Sequence, residues 1–167
     1  AGTIASNGIG DLNARGIAPQ ASIKSYRFRQ TQMQGADEIE MAFEAANGML
    51  VSNHSYGIPA DALPVALLGK YDNRAQEWDL LAQNYPYYLI VTSAGNSRNI
   101  GANLPDVGFD LLTSNANAKN VLTVGATTGV ANYAGPSSVA NARFISYGPT
   151  FDVRVKPDII TKVVDMY

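Results

Sequence analysis

Residues 37–53 read DEIEMAFEAANGMLVSN, a helical pattern that leads directly into a short apolar run. Between residues 37 and 47 apolar side chains recur at helical spacing, acidic side chains occupy the first turn, and Gly48 follows as a stop. Residues 49–53 then have the composition of a buried strand. A further strand pattern, ASIKSYRF at residues 21–28, precedes the helix. Strand, helix and strand in this order favour a parallel crossover.

The pattern continues on both sides of this unit. Residues 75–84 predict a second helix, with Ala75, Trp78, Leu81 and Ala82 on one stripe and an end before Pro86. Buried strands are predicted at residues 88–92 and 121–126, with later short strands around Phe144 and Val155, and residues 1–6 resemble the end of a helix. Helices alternating with short apolar strands predict an α/β fold with a mostly parallel sheet.

Composition bounds the class of protein. The chain has 167 residues, 46% hydrophobic and 16% charged, so it is globular and forms one domain or a large piece of one. A net charge of -2 and a sequence pI near 5.2 argue against nucleic acid or an anionic membrane surface as partner. No apolar run reaches the roughly 20 residues that span a bilayer. The absence of cysteine excludes thiol nucleophiles, thiolate metal sites and disulfides.

Two predicted strands end in polar, glycine-containing segments. The first is SNHSYG at residues 52–57, and the second is SAGN at residues 93–96. Open α/β proteins place their sites at the carboxyl ends of parallel strands, where backbone groups and helix N-termini converge. These two segments are therefore the candidate site.

Six stretches in register carry a resemblance to a known family. They are AGTIA (1–5), GIAPQA (16–21), VSNHSYG (51–57), VTSAGN (91–96), NVLTVGA (120–126), and FISYGPT (144–150) with KPDI (156–159). In order and spacing they resemble the subtilisin-like serine peptidases, the subtilases, over essentially the whole chain. The resemblance implies a three-layer fold, with helices on both faces of the sheet, which is incomplete here. Residues 1–167 would be the central segment of one catalytic domain.

The resemblance also assigns residue roles. Subtilases use a Ser-His-Asp triad and a side-chain amide that donates to the tetrahedral oxyanion. Asn96 matches that amide, whereas the family's His would lie just before Ala1, its Asp earlier still, and its Gly-Thr-Ser motif beyond Tyr167. The substrate-binding walls would be formed by Ser55, Tyr56, Gly57, Ser93, Ala94 and Gly95. Many relatives carry Leu where Tyr56 stands.

Other polar residues have simpler interpretations. His54 is the only histidine, and we expect it to be structural because it lies beside a buried strand. We expect Asp152 and Asp158 to be structural as well. Two groups of oxygen ligands could suit calcium, but neither has a recognised spacing, so no metal or other cofactor is assigned: Asn7, Asp11 and Asn13, and Asn103, Asp106 and Asp110. The glycines at 8 and 10 do not form a phosphate loop, so a nucleotide site is not predicted.

The implied parent protein is a serine endopeptidase that is secreted, periplasmic or on the cell surface and acts on peptide or protein substrates. This chain alone is expected to be inactive because it lacks the triad. The rival hypotheses are a non-catalytic peptide-binding module or degenerate peptidase, and an unrelated nucleotide-binding α/β domain. A parallel sheet that is cut leaves open edges and apolar faces, so self-association of the chain is also expected.

Overall fold

The computed structural model describes residues 2–26, 36–130 and 132–162. The chain divides into two compact units. The first comprises Ala1–Gln34 with Asp165–Tyr167, and the second comprises Gly35–Val164. The assignment of residues 1–167 to a single domain stays a prediction.

The first unit begins with a short helix, α1 (Gly2–Ala5), which confirms the helix end predicted there. Gly16 lies against this helix, since its N–H donates to the Ser6 carbonyl over 2.8 Å. A Cβ at position 16 would lie 2.6 Å from the Ile4 carbonyl oxygen, so only glycine fits.

The strand predicted at residues 21–28 is wrong for residues 21–26, which form no strand. Alternation of side chains is not enough to form a strand, because a strand also requires a partner that accepts its backbone hydrogen bonds. The remaining residues of that prediction, 27 and 28, lie outside the described residues.

The second unit contains a four-stranded, all-parallel sheet. Its strands are β1 (Val51–His54), β2 (Leu89–Ser93), β3 (Leu122–Thr127) and β4 (Ile159–Lys162), and they are adjacent in that order. The predictions of strands at residues 49–53, 88–92 and 121–126 are confirmed, each with its start shifted by one or two residues. The sheet and its helices form an incomplete α/β fold, as predicted.

Two longer helices accompany the sheet, α2 (Ala36–Ala46) and α3 (Asn73–Asn84). Asp72 caps α3, because its side chain accepts the N–H of Ala75 over 2.9 Å. Both helices pack on the face that carries Ile90, in a core that includes Met41 and Trp78. No helix in the described ranges is long and apolar enough to cross a membrane.

The opposite face of the sheet remains partly open. The strand register places Val51 and Leu89 side by side on this face, and they are 56% and 42% exposed. Ile159 of β4 shares the face with Val124 and is 48% exposed. The sheet therefore has one well-buried face and one face with exposed apolar side chains.

The short strands predicted around Phe144 and Val155 are wrong. Phe144 lies in a turn, and its carbonyl accepts the backbone N–H of Arg98. Val155 lies in the loop that precedes β4. The backbone of this part of the chain forms hydrogen bonds with loops and not with strands. For example, the Leu111 N–H donates to the Tyr147 carbonyl. Pairing with β3 begins after Pro157, which has no N–H to donate.

Candidate active site

The two polar segments lie side by side at one edge of the sheet. β1 and β2 are parallel and in register, with His54 opposite Thr92. The segments that follow them, residues 55–57 and residues 94–96, therefore leave the sheet in the same direction. Ser97 ties the two together, since its hydroxyl accepts the N–H of Ala60 over 3.1 Å.

An open cleft of about 460 Å³ lies between these segments. All of the predicted site residues line it, namely Ser55, Tyr56, Gly57, Ser93, Ala94, Gly95 and Asn96. The sequence placed these residues at two separate strand ends, and the structure brings them into one cavity. This is the geometry that an extended peptide needs if it is to contact both segments at once.

Asn96 lies on a loop whose backbone is held on both sides by Ser146. The Ser146 N–H donates to the Gly95 carbonyl over 2.9 Å, and the Ser146 hydroxyl accepts the N–H of Ser97 over 3.0 Å. Gly95 has φ +101°, a conformation that strains any residue with a side chain. The neighbour Ser97 is buried while Asn96 is exposed in the cleft. The loop therefore fixes the backbone and leaves the amide side chain available to a ligand.

The 3-10 segment at Ser114–Asn117 adds a buried polar side chain to the cleft. Asn115 is buried, and its amide donates to the Thr92 hydroxyl over 2.9 Å. Nearby, the Thr113 hydroxyl donates to the Ile58 carbonyl over 2.7 Å. These bonds connect β2 and the segment after β1 to a third part of the chain, so the cleft has a rigid base.

Tyr56 is anchored by a polar network behind the cleft. Its hydroxyl donates to the Asp37 carboxylate over 3.2 Å, and the Arg74 guanidinium donates to the same oxygen over 2.9 Å. Burial, followed by the charge of Asp37, raises the pKa of the Tyr56 phenol. The hydroxyl is thus hydrogen-bonded to Asp37 of α2, and the ring is the part of Tyr56 that can line the cleft.

His54 completes this network as a neutral, buried side chain. Since the single hydroxyl proton of Tyr56 is donated to Asp37, the His54 Nδ1, 2.8 Å away, must carry the proton of their shared bond. The His54 Nε2 then accepts from the Ser52 hydroxyl over 2.7 Å. Burial lowers the pKa of His54 to about 4. Both ring nitrogens are occupied, so the structure agrees with the expectation that His54 is structural.

The predicted structural carboxylates have structural partners. Asp152 accepts from Arg154 and from the Thr150 hydroxyl, and these bonds hold the pKa of its carboxyl at about 2. Asp158 accepts the Thr123 N–H and the ammonium of buried Lys156, both over 2.7 Å. Neither aspartate lies among the cleft-lining residues.

Most of the oxygen ligands considered for calcium are engaged locally, whereas one carboxylate oxygen of Asp110, Oδ1, is buried without a hydrogen-bond partner among the described residues. Asp11 accepts the N–H of Asn13, and Asn7 accepts that of Ile9. Asn103 donates to Asp106. Within residues 2–26, 36–130 and 132–162, no three His, Asp or Glu side chains come together in a way that could hold a metal ion.

Sequence reasoning missed several cleft residues. Ser146 lies inside a stretch that carries the family resemblance, but nothing in the sequence indicated that its hydroxyl reaches back to Ser97. Asn115 and Thr113 belong to a polar segment without hydrophobic periodicity. Asp61 follows Pro59 in a turn and resembles an ordinary surface residue. The contacts of Ser146, Asn115 and Thr113 are long-range, and no local pattern encodes them.

The buried His54 predicts an acid-sensitive fold. Its pKa is about 4 in the folded chain against 6.5 when exposed, so the unfolded state binds more protons between these values. The free energy of unfolding should therefore fall by up to about 3 kcal/mol as pH decreases from 6.5 to 4, with no further loss from His54 below that. Urea denaturation at a series of pH values measures this.

The matched variant is His54→Gln, which keeps a hydrogen-bonding side chain but cannot titrate. We expect it to be less stable at pH 7 and to lose most of the dependence on pH between 6.5 and 4. An unchanged dependence in the variant would assign the acid sensitivity to other groups.

A comparison with protein-family models matches the subtilase family over residues 1–163. A comparison with curated proteins gives no match. The family match spans almost the entire chain, including both strand-end segments and the parallel sheet, and the family's activity is that of a serine-type peptidase acting on proteins. By this match, and in agreement with its fold, the chain belongs to the subtilase family.

Proposed function

We propose that this chain forms the oxyanion-stabilising and substrate-binding part of a subtilisin-like serine endopeptidase. The observation that carries the proposal is the exposure of Asn96 in the same cleft as Ser55, Tyr56 and Gly57. A peptide in this cleft would have its backbone between the two strand-end segments. The amide of Asn96 would then donate to the carbonyl oxygen that becomes negative when a serine attacks.

An amide is suited to this role because it is neutral and is held in place before the reaction. Its hydrogen bond strengthens as charge develops on the carbonyl oxygen, so it stabilises the transition state more than the substrate. The hold of Ser146 on both neighbours of Asn96 provides the fixed geometry. The serine, the histidine base and the aspartate would come from other segments of the parent protein, and the reaction would pass through an acyl-enzyme.

The family favours an extracytoplasmic location, because subtilases are often secreted. We place the parent protein among secreted, periplasmic or cell-surface proteins, with peptides or proteins as substrates. Calcium, if the intact domain binds it, would stabilise surface loops and take no part in the reaction.

Asn96→Leu tests the assigned role in a polypeptide that joins this chain to the triad-bearing segments. Leucine keeps the branched skeleton of asparagine, with the same number of non-hydrogen side-chain atoms, but it is larger and has no donor. We expect kcat to fall roughly 10² to 10³-fold with little change in KM, a magnitude measured in subtilisin itself. Asn99→Leu is the matched control, since Asn99 is exposed and outside the cleft lining. Equal effects of the two substitutions would contradict the role.

The chain alone should be inactive. It contains no Gly-Thr-Ser motif, and its single histidine is buried with both ring nitrogens bonded. Incubation with a serine-directed fluorophosphonate should leave the chain unlabelled, and a chromogenic peptide should be cleaved at the rate of the buffer blank. Stoichiometric labelling of the chain would show that it holds a reactive serine of its own.

The same observations favour a second candidate, a non-catalytic peptide-binding module. Such a protein would keep the cleft and lack a nucleophile altogether. The residues that follow Tyr167 in the parent protein distinguish the two, because a Gly-Thr-Ser stretch there supplies the nucleophile and supports the peptidase.

We further propose that the isolated chain self-associates through its open sheet face. Val51 and Leu89 expose neighbouring apolar side chains on this face, and their burial against a second copy would be favourable. Sedimentation at increasing concentration should show association, which Leu89→Glu weakens. Tyr87→Glu is the control, because Tyr87 is 88% exposed but lies outside the sheet. A compact monomer at all concentrations would contradict this proposal.

A further inference from the structure

Among the described residues that line the cleft, Asp61 is the only one with an acidic or basic side chain. Asp61 is exposed, and no lysine or arginine of the described residues forms an ion pair with it. The cleft therefore has a negative charge that the described part of the chain does not neutralise.

The backbone around Asp61 is fixed. The residue lies in the short 3-10 turn Ala60–Ala62, in which the Ala62 N–H donates to the Pro59 carbonyl over 3.1 Å. Ala60 is buried, and its N–H donates to the Ser97 hydroxyl in the Asn96 loop. Asp61 is thus attached directly to the structure that positions the cleft, although its own side chain faces solvent.

Apolar side chains line the cleft together with this carboxylate. Ile58 and Ile100 are both partly exposed, at 43% and 48%, and Leu111 is buried. These aliphatic side chains can pack against the methylene groups of a ligand side chain, but they cannot form hydrogen bonds with a polar end group. An apolar stem on these residues would leave its end group near solvent, where a carboxylate is available.

The nearby cations are engaged elsewhere. The Arg98 guanidinium lies over the Tyr147 ring at 4.4 Å, and Arg74 donates to Asp37. Neither residue lines the cleft. A positively charged ligand would therefore meet attraction from Asp61 without repulsion from a lining residue.

We propose that the cleft selects peptides that place a lysine or arginine side chain in it, with Asp61 as the specificity-determining residue. The inference rests on the proposed function, because it requires a peptide in this cleft. The methylenes of the basic side chain would lie along Ile58, Ile100 and Leu111, and its charged head would pair with the Asp61 carboxylate.

Two peptides that differ only in charge test the proposal on the chain itself. They are Ala-Ala-Pro-Lys amide and its counterpart with norleucine, which keeps the methylene stem and lacks the ammonium. Titration followed by ¹H–¹⁵N NMR gives Kd and shows which backbone amides respond. We expect the lysine peptide to bind about two- to fivefold more tightly, as is usual for an exposed ion pair, and the difference to shrink in 0.5 M salt.

Asp61→Asn should remove the preference and leave the Kd of the norleucine peptide unchanged. Glu77→Gln is the matched control, because Glu77 is exposed on α3, outside the cleft lining, and the substitution alters net charge equally. Amide spectra of the free variants verify that each one is folded. The control should keep the full preference.

The possible failures are distinguishable. If both peptides shift the amides of Ser55, Gly57 and Asn96 but bind equally, or if Asp61→Asn keeps the preference, the assignment of Asp61 is wrong and the proposed function stands. If neither peptide shifts these amides, the peptide-binding cleft is wrong and the inference falls with it.

Discussion

The parallel pairing of β1 with β2 is the constraint on which the cleft depends. Because the strands run in the same direction and in register, the segments after His54 and after Ser93 leave the sheet beside one another. Neither segment could form the cleft alone, since one supplies Tyr56 and the other Asn96. Loops then complete the arrangement, with hydroxyls of Ser97 and Ser146 accepting backbone N–H groups that would otherwise be unpaired inside the protein.

The polar network behind Tyr56 explains how this chain accommodates a tyrosine in the wall of the cleft. The phenolic oxygen needs partners when it is buried, and it finds them in Asp37 and His54. His54 in turn lies against Trp78, with ring centroids 4.8 Å apart, so the network extends into the hydrophobic core. One face of the cleft is thus supported by the same helices that bury the sheet, which links the shape of the cleft to packing in the interior.

The sequence predicts regular elements well where periodicity and stop signals agree. The helix pattern at residues 37–47 ends at Gly48 and appears as α2, and the apolar run at residues 121–126 appears as β3. The predictions fail where a strand-like pattern has no neighbouring strand to pair with, as at residues 21–26 and at Phe144. Family resemblance pointed to Asn96, whereas Ser146 and Asp61 could not be identified from local sequence. Ser146 bonds to a distant segment, and Asp61 lines the cleft only because its turn folds beside the Asn96 loop.

The hold of Ser146 on the Asn96 loop has a consequence for how the protein is made. The bond from Ser97 to the Ser146 hydroxyl spans 49 positions of the chain. On a ribosome, which extends the chain from its N-terminus, β1 and β2 emerge well before this hydroxyl is available. The Asn96 loop therefore cannot gain this bond until residue 146, which follows β3 in the chain, has been synthesised.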